Sequence, residues 1–150
     1  MLTPRYRVNG PAFSRLAAIQ PELTAFRRDL HSHPELGFEE VYTAGRVAAA
    51  LQAVGVDEVH TGIGRTGVVG VIHGLAHPGR WLTDAEGQIQ AVGLRADMDA
   101  LPMTEHNDFA WKSGRPGLMH GCGHDGHTAM LVGAARYLAE TRNFHGTAVL

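Results

Sequence analysis

Cysteine occurs once, at Cys122, in a chain of 150 residues. That excludes an internal disulfide framework and fits a reducing compartment. Lysine is as scarce: Lys112 stands against twelve arginines, and thirteen basic and fifteen acidic residues leave a formal net charge of −2. The basic residues are scattered, so neither nucleic acid nor an anionic membrane surface is an expected partner. No apolar run approaches the ~20 residues that span a bilayer. The first twenty residues lack a continuous apolar stretch and a small-residue cleavage site, and the expectation is a cytoplasmic protein. Charged residues make up 19% and hydrophobic residues 44%, a balance that supports a buried core and argues against disorder. There is no repeat, low-complexity tract or interdomain linker, and no G-x-S-x-G elbow for a serine nucleophile.

Glycine and histidine are plentiful, at 19 and 10 residues. Residues 1–10 read as an irregular leader. Residues 11–30 carry Phe13, Leu16, Ile19, Leu23, Phe26 and Leu30 at helical spacing, with Pro21 near a break. HSHPELGF then reads as a loop, because Pro34 disfavours helix at His33. Residues 39–54 form a second amphipathic helix that Gly55 ends. The period then changes. Residues 56–60, 66–73 and 89–98 are strand candidates, with a polar connection over 74–87. Residues 101–119 are irregular. Residues 126–140 form the clearest helix, and residues 147–150 begin a strand. This order is an α/β pattern, and its last helix and strand start a right-handed crossover. A chain that stops within its fourth strand candidate reads as the front of a longer protein.

The strongest chemical signal is Met119-His120-Gly121-Cys122-Gly123-His124-Asp125-Gly126-His127. Three His, one Cys and one Asp fall together in a glycine-rich loop before a helix. Cys122 and His124 are separated by one residue, so in an extended loop both side chains face one ion. Asp125 or Thr128 is positioned to cap the helix. With no second ligand pair at finger spacing, a structural zinc finger is not the expectation. The second signal, Leu94-Arg95-Ala96-Asp97-Met98-Asp99, follows an apolar strand, where open α/β sheets collect their sites. Asp97 and Asp99 share a face of an extended strand, with Arg95 beside them to neutralise charge. A solvated acidic loop is the bland alternative. The third, His31-Ser32-His33-Pro34-Glu35, suits hydrogen bonding that holds loop geometry better than direct ligation. Gly62-Ile63-Gly64-Arg65-Thr66-Gly67 matches a dinucleotide fingerprint, but strand-forming residues follow it where a helix is required, so it is expected to be a hairpin turn.

RRDLHSHPELGFEE, GVVGVIHG, GLRADMDALPMTE and MHGCGHDGHTAMLVGAARYL, in that order, resemble the amino-terminal part of the M20 metallopeptidase family. The closest branch is that of hippurate hydrolases, N-acyl-amino-acid deacylases and auxin-conjugate hydrolases. The resemblance implies an α/β fold: the front of a zinc-exopeptidase-like α/β/α sandwich, without the lid or dimerisation domain, over residues 11–150. It implies a metal-dependent amidohydrolase that cleaves N-acyl amino acids with two divalent ions, zinc or manganese, per complete site, and a homodimer at full length. By resemblance, Cys122 and His124 match metal ligands, Asp99 a site-ordering acid, and Asp97 the place of a ligand. A Glu-Glu pair carrying the general base is expected beyond residue 150. The alternative is an inactive truncated remnant that at most binds a divalent metal.

Overall fold

The fold is given by a computed structural model that describes residues 11–76, 87 and 90–150. The expected leader at 1–10, most of the 74–87 connection and Ile89 lie outside the described residues. Helix α1 spans Pro11–Ser32. The expected break at Pro21 does not occur: the helix runs through it and packs along α3. The ring removes one helical hydrogen bond, and packing against α3 outweighs that local loss. Helix α2, Val41–Ala53, is two residues shorter at its start than the periodicity suggests, because Glu40 takes the cap position. Gly55, at φ 77°, ends it with a left-handed turn that an L side chain resists.

Strand β1 (Glu58–Ile63) and β2 (Gly67–His73) form an antiparallel hairpin. The GIGRTG segment is its turn: Gly62 and Gly64 have positive φ, and a strand opens after it. The dinucleotide reading is thereby closed. Strand β3 is shorter than expected, only Ala91–Gly93, and β4 is Thr147–Val149. β3 leaves the sheet early because its parallel partner β4 pairs over three residues, the last ladder bond running from the Leu94 amide to the Val149 carbonyl. Helix α3, His124–Thr141, connects these two parallel strands. The sheet order is β1-β2-β4-β3, with β2 and β4 antiparallel.

The core lies where α2 and α3 meet the sheet. Val47 and Leu51 of α2, Ile72 of β2, Ala135 and Ala139 of α3, and Ala148 and Leu150 are its buried members. The alanines let α3 approach closely, and burial of the larger aliphatic chains supplies the driving force. No helix among the described residues is long and apolar enough to cross a membrane.

Candidate metal centre

Two pieces of chain build the site: the stretch that leaves β3, and the first turn of α3. Neither expected helix cap forms. Gly123 takes the N-cap position in a left-handed conformation, φ 90° and ψ 18°, with no side-chain cap, so α3 begins at His124, two residues before its expected start. Thr128 turns outward from the helix, and its hydroxyl donates to the Asp97 carbonyl at 3.0 Å. Asp125 is fully buried and reaches toward α1. The first turn is thereby pinned to the 97–99 backbone.

One ligand atom each from Asp97, His124 and His127 lies within 4.8 Å of the others. The Nδ1 atom of His124 sits 3.0 Å from the Asp99 carbonyl oxygen and 2.9 Å from Asp99 Oδ1. A carbonyl only accepts, so Nδ1 carries the proton and the Nε2 lone pair is left to meet a cation. Asp99 is thus the hydrogen-bond partner of the His124 ring, through both its carboxylate and its main chain. The Asp97 carboxylate is held by Arg95 Nη2 at 2.6 Å, an exposed pair close to water. One carboxylate oxygen and two imidazole nitrogens form a donor set suited to zinc or manganese.

Cys122 lies in the bend just before α3. It is exposed, and its sulfur is not among the converging atoms. The extended-loop alternation assumed for Cys122 and His124 is broken by the left-handed bend at Gly123, which puts Cys122 in the turn and His124 in the helix. His127 was visible as a clustered histidine but not singled out as a ligand; its i+3 spacing from His124 on a helix that starts at 124 is the signal that brings it to the same side.

Behind the triad lies a buried polar layer. His31 Nδ1 faces Asp125 Oδ2 at 2.8 Å, and its Nε2 faces Glu105 Oε1 at 3.1 Å. Burial raises the Glu105 pKa, but the Ser113 amide, the Asn107 side chain and His31 outweigh it, and the carboxyl lies below the usual carboxylate range. His120 is buried among the charges of Asp125, His31, His124 and Asp99; burial pushes its pKa below the ordinary imidazole value. Neither of its ring nitrogens has a hydrogen-bond partner among the described residues. The HSHPE segment does hold loop geometry, as its composition suggested. Glu35 accepts from the Tyr42 and Thr43 amides and the Thr43 hydroxyl at the start of α2, and its carbonyl accepts from the Ala100 amide at 2.7 Å.

The chain is similar to known proteins over most of its length. Residues 93–150 match the family model for Peptidase family M20/M25/M40. The chain is 44% identical over 128 residues to a hippurate hydrolase of Campylobacter jejuni, covering 85% of this chain and 30% of that protein. It is 43% identical over 125 residues to an N-acyl-L-amino acid amidohydrolase of Geobacillus stearothermophilus, covering 83% and 30%. Among solved structures, the Bacillus subtilis YXEP protein, a dinuclear metal binding peptidase, superposes with a TM-score of 0.76 at 35% identity, over 89% of this chain and 34% of that one. The chain spans about a third of the length of these relatives.

Proposed function

The chain belongs to the M20 family, whose amino-terminal part it matches, and on that premise we propose that residues 11–150 are the front portion of the catalytic domain of a metal-dependent amidohydrolase. Its substrates are N-acyl amino acids, of the kind named by the two relatives above. The observation that carries the reading is the meeting of Asp97, His124 and His127 within 4.8 Å, with His124 held in the ligating tautomer by Asp99. Asp97, His124 and His127 hold a divalent cation, zinc or manganese, and the exposed Cys122 thiol supplies a further donor from the adjoining turn. When bound, the ion supplies a Lewis acid that acidifies water and polarises an amide carbonyl. Asp99 keeps the His124 ring fixed, with Nδ1 as the donor and Nε2 left for the cation. The Thr128–Asp97 bond holds the two halves of the cradle in register.

A second reading has its own observation. The converging side chains Asp97, His124 and His127 are all of metal-ligand type, and what they support by themselves is a metal cradle without turnover. Titration of the purified chain with Zn²⁺ or Mn²⁺, beside an assay on hippurate and related N-acyl amino acids, tests both. Stoichiometric binding lost on His124→Ala supports the cradle. Turnover by the same sample favours the hydrolase over the cradle alone. No binding of either ion refutes both readings.

A further inference from the structure

We propose that His31 and Asp125 are positioning residues for the cation cradle. They belong to a buried chain of charge-assisted hydrogen bonds that fixes the rotation of the first turn of α3. This inference rests on the metal reading above. Asp125 is fully buried, and its Oδ2 accepts from Arg27 Nε at 2.9 Å and from His31 Nδ1 at 2.8 Å. The other ring nitrogen of His31 lies 3.1 Å from Glu105, which also accepts from the Ser113 amide at 2.6 Å and the Asn107 side chain at 2.8 Å. A carboxylate thus stands at each ring nitrogen of His31. The chain therefore joins the end of α1, the 101–119 segment and α3.

Buried charges are costly unless paired, so each link resists rearrangement. Asp125 makes no cap for its own helix, and all its bonding goes sideways into α1. On a helical wheel His124 and His127 lie about 60° apart, and Asp125 stands about 100° from His124 on the other side. Anchoring Asp125 thereby sets where both imidazoles point. A 20° rotation of the turn would carry a side-chain tip ~2 Å, ten times the tolerance of a ligand bond.

The test compares His31→Leu with Glu22→Gln. Glu22 pairs with Arg136 at 2.6 Å and also ties α1 to α3, but outside this chain of bonds. Zn²⁺ affinity is measured by competition with a chromophoric chelator, and the visible spectrum of the Co²⁺-loaded protein reports ligand geometry. His31→Leu is expected to weaken Zn²⁺ at least tenfold and to shift the Co²⁺ bands. Glu22→Gln is expected to lower thermal stability with both metal readouts unchanged. Should His31→Leu fail to fold, Arg27→Gln, at the half-exposed end of the same chain, carries the same expectation. Wild-type affinity and spectrum in a folded variant overturn the proposal, as does an equal loss in Glu22→Gln. If the wild-type chain itself binds no ion, the metal reading falls separately. The ¹⁵N imidazole resonances of His124 and His127 in the metal-free chain then decide: movement in His31→Leu supports the positioning role, and unchanged resonances refute it.

Discussion

Replacing Asp99 with alanine isolates what the ordering carboxylate does for the cradle. The His124 Nδ1 proton has two acceptors on the same residue, Oδ1 at 2.9 Å and the main-chain oxygen at 3.0 Å. Alanine deletes the first and keeps the second, so the tautomer survives while the charged partner is lost. Removing the partner of a ligating imidazole typically weakens metal binding about 10–100-fold. The carboxylate is 37% exposed and the carbonyl remains, which places the loss at the lower end, about tenfold or ~1.4 kcal/mol. Asparagine, which still accepts but carries no charge, should lose only about threefold, less than half of that energy. Calorimetric titration with Zn²⁺ at fixed pH and ionic strength reads the affinity, and circular dichroism checks that each variant is folded. Wild-type affinity in a folded Asp99→Ala chain would refute the ordering role.

Arg95 competes with a cation for Asp97 from an exposed position, so Arg95→Gln should raise Zn²⁺ affinity by up to about threefold in dilute buffer, and the gain should vanish in high salt; weaker binding would contradict it. Cys122→Ala should remove the sulfur-to-cobalt charge-transfer absorption of the Co²⁺ form, and absence of that band in the wild type would remove Cys122 from the donor set. Pro21→Ala restores a hydrogen bond inside an exposed stretch of α1 and should stabilise the fold by about 1–3 kcal/mol in urea melts; a destabilised variant would show that the ring is needed. Asp57 carries an acid-sensitive contribution: burial raises its pKa, but Arg142 and the His73 amide outweigh it and hold the carboxyl below its ordinary value. The unfolded chain therefore takes up the proton first, so this stability is complete above the ordinary carboxylate range and is lost as pH falls through the lower folded value. Asp57→Asn should be less stable at pH 7 and flatten the acid limb; an unchanged slope would reject the assignment.

Much of this was legible in the sequence. Helical spacing marked all three helices, and β-branched residues marked β2, because these patterns are local. The hairpin followed from what came after GIGRTG, not from the glycines themselves. Two kinds of feature escaped. One was set by a single backbone bend: the left-handed Gly123 starts α3 at His124, which puts His127 beside His124 and leaves Cys122 in the preceding bend. The other was long-range pairing. Nothing near His31 announces Asp125 and Glu105, which lie 94 and 74 positions away, and only the meeting of α1 with α3 and with the 101–119 segment brings them together. For Asp97 and Asp99 the extended strand assumed for their shared face ends earlier, since β3 stops at Gly93.

The segment between the two halves of the cradle is closed at its base. Leu101 and Met119 exchange main-chain hydrogen bonds of 2.9 and 3.0 Å, and the turn beyond is held to α1 by Arg28 over the Trp111 ring. His106 and Asp108, on either side of the Asn107 that bonds Glu105, lie outside these ties and are exposed, Asp108 completely so. That tip is a place where residues can be exchanged or inserted while the donors stay put, because loop length costs little once the ends are fixed. The neck thus separates two kinds of change, so that the rim can be rewritten without disturbing the chemistry beneath it.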